Sequence, residues 1–253
     1  MNATPDAVSR GLLQEAPEPA RYGGGCGDDP HEVPAILRGF MPERSAVLDV
    51  GIGVGAVTEF INAGRHNAVF CIEPDPIRAA MAQGRGLKVY QGLFDQQFLN
   101  QPEASERFDV IVFGDVLEHL PSPAEALDLA LRCLKSGGLI LASTPNVAHW
   151  TVRLGLLFGR FNYAESGIMD ATHLRWFTEA TLSRLFAQQG FQVERLRYTA
   201  GLWLPHYSRG LLKFIPYRIK RVAVLILLRL FPRLMAAQLV VAARPRAGNP
   251  SGQ

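Results

Sequence analysis

The chain has 253 residues, 48% of them hydrophobic and 19% charged, with a net charge of +3. That length and composition support one sizeable core, or two small ones at most, and exclude global disorder. The charge is unevenly spread: residues 1–194 carry 15 basic against 23 acidic side chains, whereas eleven basic residues and no acidic one follow Glu194. Such a basic end on an acidic body suggests an anionic partner there.

Residues 1–30 are rich in Pro, Gly and Ala and are expected to be flexible. Within them, Tyr22-Gly-Gly-Gly-Cys-Gly either stays mobile or folds over a ligand. No basic segment followed by an apolar run opens the chain, so a cytoplasmic, reducing setting is expected. Cys26, Cys71 and Cys133 form no C-x-x-C pair and have no His at ligand spacing, so neither a disulfide framework nor a zinc site is expected.

A short helix over 31–40 leads to strands expected at 46–50, 68–73, 87–90, 108–114 and 138–143. Helices are expected at 55–63, 76–83 and 123–134. Apolar runs such as Asp109-Val-Ile-Val-Phe-Gly114 mark strands buried on both faces, as in a parallel sheet. The alternation implies right-handed crossovers and a doubly wound α/β/α sandwich with ligands at the carboxyl ends of its strands. Asp49, Glu73, residues 92–95, Asp115 and Asn146 fall at such ends. The alternation then breaks in an insertion over 147–177. A helix over 178–189, opened by Thr178 and closed by Gly190, precedes a sixth strand over 191–198. A basic, apolar stretch over 207–233 leads to a seventh strand in Ala236–Arg244, and 247–253 is a tail.

The most informative segment is Val47-Leu-Asp49-Val-Gly51-Ile52-Gly53-Val-Gly55. Glycines let a bound ligand approach the backbone, and the following helix start presents free N–H groups. Gly51-x-Gly53-x-x-Ala56, with Glu73 about twenty residues on, also satisfies the loose dinucleotide pattern. Asp49 argues against a pyrophosphate, because a carboxylate under the loop repels phosphate and attracts an ammonium group.

Asp-x-Gly-x-Gly-x-Gly resembles the first motif of class I S-adenosylmethionine-dependent methyltransferases. The resemblance continues through Val69–Pro76, Phe108–Leu120 and Leu131–Asn146. It implies a Rossmann-like, seven-stranded sheet with an antiparallel last strand over residues 31–246. It implies S-adenosyl-L-methionine as cofactor and S-adenosyl-L-homocysteine as product. Gly51, Ile52, Gly53 and Gly55 would face the methionine part, with Asp49 near its amino group. Glu73 would accept from the ribose hydroxyls, an acceptor-only role that suits a carboxylate; otherwise it is a solvated acid at a strand end. Many relatives have Gly-Asp at the adenine position, where this chain has Gly92-Leu93-Phe94-Asp95. Either Asp95 and Phe94 serve adenine or Asp95 closes a turn. Gly114 and Asp115 end a strand at the expected transfer point, and Asp115 either lines the cofactor or caps the next segment.

Methyl transfer to a hydroxyl needs alignment of the acceptor and a base for its proton. His119, in Leu-Glu-His-Leu, is the first candidate base, unless Glu118 and His119 only shape the loop. Ubiquinone-type and sugar O-methyltransferases resemble this segment. Asp170-x-Thr-His173-Leu-Arg175-Trp-Phe-Thr178 resembles a segment of methyltransferases of polysaccharide and O-antigen biosynthesis. Pro145-Asn146…His149-Trp150…Arg153 is similar to the methionine-biosynthesis W-type protein, a non-catalytic partner. The insertion reads as a lid. In it, His173 is a second catalytic candidate, and His149 and Arg175 are substrate candidates, Arg175 for a phosphate or carboxylate. The alternative is that His173 and Arg175 pin the lid, with Trp150, Trp176 and Phe177 as its core.

Residues 209–233 hold a seven-residue apolar run, Val222–Leu228, between Arg221 and Arg229, far too short to span a bilayer. They form either a crossover helix packed on the sheet or an interfacial helix whose arginines meet anionic lipid at the inner face of the membrane. No nucleic-acid recognition module is visible. The expectation is therefore a cytoplasmic methyltransferase acting on a hydroxyl of a saccharide or glycan intermediate. A ubiquinone-type O-methyltransferase and a non-catalytic W-type partner are the alternatives.

Overall fold

The computed structural model describes residues 29–246 apart from 106 and 209. The expectations for the N-terminal glycines, Cys26 and the 247–253 tail lie outside the described residues.

Strands β1 (Ala46–Val50), β2 (Ala68–Glu73), β3 (Lys88–Gln91), β4 (Phe108–Gly114), β5 (Leu134–Pro145), β6 (Phe191–Tyr198) and β7 (Gln238–Pro245) form one sheet. The order is β3-β2-β1-β4-β5-β7-β6, and β7 alone runs against its neighbours. Between them lie α1 (Val33–Phe40), α2 (Ala56–Asn62), α3 (Pro76–Gly84), α4 (Pro102–Ser105), α5 (Pro123–Cys133), α6 (Trp150–Leu157), α7 (Glu179–Gln188), α8 (Pro205–Ser208), α9 (Tyr217–Leu230) and α10 (Pro232–Met235).

Alternate residues of each central strand face opposite layers, as the two-residue period of a strand requires. Val47, Val110, Val112, Leu141 and Val240 pack on one side with Leu37 of α1 and Ile61 of α2. Leu48, Ile111, Phe113, Ile140 and Val241 pack on the other with Leu127 of α5 and Phe186 of α7. Three layers result.

The helix starts are written in the sequence. Asp75 accepts from the N–H groups of Ile77 and Arg78 ahead of Pro76, and Ser122 accepts from Glu125 N–H ahead of Pro123. Thr178 and Thr181 form a reciprocal cap on α7. Two boundaries moved. β5 extends back to Leu134, because Phe108 pairs with Leu134 across an irregularity in the β4–β5 ladder. The stretch expected as one unit over 207–233 divides into α8, a 3-10 turn, α9 and α10.

The site's position follows from the topology. The chain winds outward from β1 to β3, then returns to place β4 on the other side of β1. The connections from β1 and β4 therefore leave in opposite directions, and a crevice opens at their carboxyl ends. Another cavity, of about 380 Å³, lies at the opposite end of these strands, beside Ser45 and Asp109.

Candidate active site

The glycine loop occupies the crevice. Gly51, Gly53 and Gly55 all have positive φ, at 70°, 57° and 81°. A side chain at Gly51 would meet Val116 Cγ2 at 2.7 Å, so the loop after β1 lies directly against the loop after β4. Nothing stands within 4 Å of where a Cβ of Gly53 would be, which leaves open space over the middle of the loop. Gly51 and Ile52 donate their N–H groups to Ile72 O, tying the loop to β2.

Asp49 is buried beneath this loop, beside Thr58 of α2. Burial raises its pKa to about 7, and the Thr58 hydroxyl only partly offsets this. Glu73 is also buried, and burial shifts its pKa upward. Its Oε2 accepts from Gly53 N–H at 2.7 Å and its Oε1 from Asp75 N–H at 3.0 Å. Glu73 is thus held at the loop, and each carboxylate oxygen retains a further lone pair. Open space over Gly53, a buried carboxylate below and a second carboxylate beside it fit a ligand bearing an ammonium group and paired hydroxyls.

The turn after β3 divides its duties. Leu93 is exposed. The Phe94 ring packs on Phe98 and Phe113, with centroids 5.6 and 5.8 Å apart. Asp95 Oδ1 accepts from the N–H groups of Gln97 and Phe98, so it closes the turn.

Gly114 ends β4, and Asp115 follows at φ 53°. Asp115 Oδ1 accepts from Ser143 Oγ at 2.7 Å, and Oδ2 accepts from Gln238 Nε2 at 2.8 Å. Burial raises its pKa. Its carboxylate therefore joins the ends of β4, β5 and β7, a network in which Ser143 and Gln238 went unnoticed in the sequence. Gln238, a polar residue opening an apolar strand, was the only signal for it.

Next comes the 3-10 turn Leu117–His119. Glu118 is 1% exposed, and the polar side chain beside its carboxyl group is Thr144. Burial, reinforced by the negative charge of Asp115, holds its pKa well above the usual carboxylate range.

The lid loop docks on this turn. Leu174 and Arg175 donate their N–H groups to Glu118 O. Asp170 Oδ1 accepts from Thr172 N–H and Oγ1–H, closing the turn that carries His173. The rings of His119 and His173 meet edge-on at 4.9 Å. One donor atom from each of Glu118, His119 and His173 lies within 4.8 Å of the others. His119 Nδ1 is 3.3 Å from Thr172 O, and His173 Nδ1 is 3.2 Å from Ile168 O. A carbonyl can only accept, so in a neutral ring these bonds put the proton on Nδ1 and leave Nε2 as an acceptor. Glu118 as part of the site was missed. The sequence carries no metal-ligand spacing here, and the fold brings three donors together from segments 54 residues apart.

Two lid candidates have structural contacts of their own. His149 is the first. It is wholly buried and caps α6, its Nδ1 2.7 Å from Thr151 Oγ1. Burial lowers its pKa to about 3. Arg175 is held by backbone carbonyls of its surroundings. It donates to the carbonyls of Leu174 and Pro121, pinning the lid to the loop after β4. Trp176 packs with the largely exposed rings of Phe161 and Tyr163, and Phe177 is buried in the main core. Ile168, whose carbonyl meets His173, also lines a pocket of about 480 Å³ together with Val152, Met169, Leu204 and Pro205.

A methyltransferase-domain family model matches residues 26–196. The ubiquinone biosynthesis O-methyltransferase of Xylella fastidiosa is 31% identical over 163 residues, 58% of this chain and 65% of that protein. The chain spans about half to two-thirds of the length of the curated relatives it matches. Among solved structures, a chain in the complex of the Haloferax volcanii Trm112 methyltransferase activator with a methyltransferase superposes with a TM-score of 0.58. It is 16% identical, and the match covers 86% of this chain and 91% of that one. A SAM-dependent methyltransferase of Thermotoga maritima gives a TM-score of 0.55 at 17% identity, covering 83% and 86% of the two chains. The chain therefore belongs to the methyltransferase domain family, an enzyme family whose cofactor is S-adenosyl-L-methionine.

Proposed function

We propose that this chain methylates a hydroxyl oxygen on a small acceptor with an apolar body, with Gly51–Gly55, Asp49 and Glu73 holding the cofactor. The observation that carries the proposal is the Glu118–His119–His173 cluster: it follows Val116, which packs against the glycine loop, and His173 meets Ile168, which lines a largely apolar pocket. When bound, S-adenosylmethionine supplies a methyl group already activated on a sulfonium. The chain's task is to orient the acceptor oxygen and take its proton as the C–O bond forms and the C–S bond breaks. His119 takes that proton, with His173 and the docked lid fixing its ring. A saccharide would need many polar partners. The pocket lining offers few, among them Thr151, Ser166 and His206, so the apolar acceptor is favoured over the glycan. The naming of the curated relatives as ubiquinone biosynthesis O-methyltransferases supports the same choice.

The test is calorimetric titration with S-adenosylmethionine and S-adenosylhomocysteine, followed by turnover on a catechol. His119→Ala should keep cofactor affinity and lower kcat by about 10²–10⁴-fold. Binding of neither cofactor form would overturn the reading and favour the non-catalytic partner. A second reading rests on the closeness of the three donors: one carboxylate and two imidazoles are a donor set for a divalent cation that would polarise the acceptor hydroxyl. Loss of turnover in a chelator, restored by added cation, would select it.

A further inference from the structure

Helix α9 carries two apolar stripes. Val224 and Leu228 are buried against the core, with Leu225 beside them. Ile219, Val222, Ile226 and Leu230, spaced three and four apart, occupy the opposite face and are 54–63% exposed. Exposed aromatics bracket this outer stripe, Phe214 and Tyr217 before it and Phe231 after it. Exposed Arg218 and Arg229 lie on the helical positions flanking it. Residues 209–233 hold seven basic side chains and no acidic one. Arg221, Lys220 and Arg233 bond within the protein, to Asp29, Tyr207 O and Glu179. Arg218 and Arg229 are set outward beside the stripe.

We infer that the outer face of α9 docks on an anionic lipid surface, lying flat in the headgroup region. The helix is about 21 Å long, too short to cross a bilayer, and no helix among the described residues is long and apolar enough to do so. An apolar stripe edged by arginines and ended by aromatics matches the layering of that surface: acyl chains under the stripe, phosphates at the guanidinium groups, rings at the boundary. A second copy of the chain is the poorer occupant. Two such faces in contact would gather like charges with no acid in the segment to answer them.

The experiment is sedimentation of the full chain with phosphatidylcholine vesicles, with and without phosphatidylglycerol, at low and high salt. The expected result is binding only where phosphatidylglycerol is present, weakened by salt. Arg218→Glu with Arg229→Glu should lower vesicle affinity by about tenfold or more, and Ile219→Glu with Ile226→Glu should abolish binding. These side chains are exposed, so melting temperature and S-adenosylhomocysteine affinity should hold in both variants. No binding, equal binding to both vesicle types, or binding unchanged by the isoleucine substitutions would overturn the inference. So would a dimer in light scattering that Ile226→Glu dissociates.

Discussion

Asp49 shows how one residue links burial to ligand chemistry. Burial alone raises its pKa to about 7 in the free protein. An ammonium group placed against it would stabilise the charged form and pull that value down. Binding is then tied to loss of a proton. Cofactor affinity should be fully present above about pH 7 and fall by up to about tenfold per pH unit below it. Titration calorimetry between pH 5.5 and about 8.5 measures this, and Asp49→Asn should flatten the profile while weakening binding. A profile unchanged by that substitution would assign the dependence to Glu73, whose pKa is raised as well.

At the scale of elements, Asp115 fastens three strands. Its carboxylate accepts from Ser143 on β5 and Gln238 on β7 while its own backbone turns out of β4 at positive φ. Asp115→Ala would strand both donors and place Ala in an unfavourable conformation. The expected loss of stability is about 2–4 kcal/mol by denaturant titration. Asp115→Asn tolerates that φ and keeps an acceptor, so it should lose less. If the Asn variant instead unfolds normally but binds S-adenosylhomocysteine poorly, the side chain contacts the cofactor as well.

For the molecule as a whole, the proposed cofactor site draws on loops from β1, β2 and β4, onto the last of which the lid docks. A ligand bound there stabilises all of them at once. Saturation at about 100 times Kd is worth about 2.7 kcal/mol, which for a chain of this size raises Tm by about 5–10 °C. Calorimetric melts with S-adenosylmethionine should show that shift, and melts with NAD should not. A shift with NAD would revive the dinucleotide reading of the glycine loop.

Local chemistry made much of this protein legible from its chain. The strands from 46–50 to 191–198, the cap at Thr178, and the glycine loop with Asp49 beneath it depend on spacing, turn chemistry and short-range hydrogen bonds. The tertiary structure alone decided what required distant residues to meet. It gathered Glu118, His119 and His173 from two segments, and Asp115, Ser143 and Gln238 from three strands. It also put His149 and Arg175 to structural use, although their motif placed them among the site candidates. The same holds for α9: its composition announced a basic, apolar helix, but only packing showed that Val224 and Leu228 face the core while Ile219, Val222, Ile226 and Leu230 remain in solvent. A sequence records which side chains are available, and the fold determines which of their polar atoms find partners.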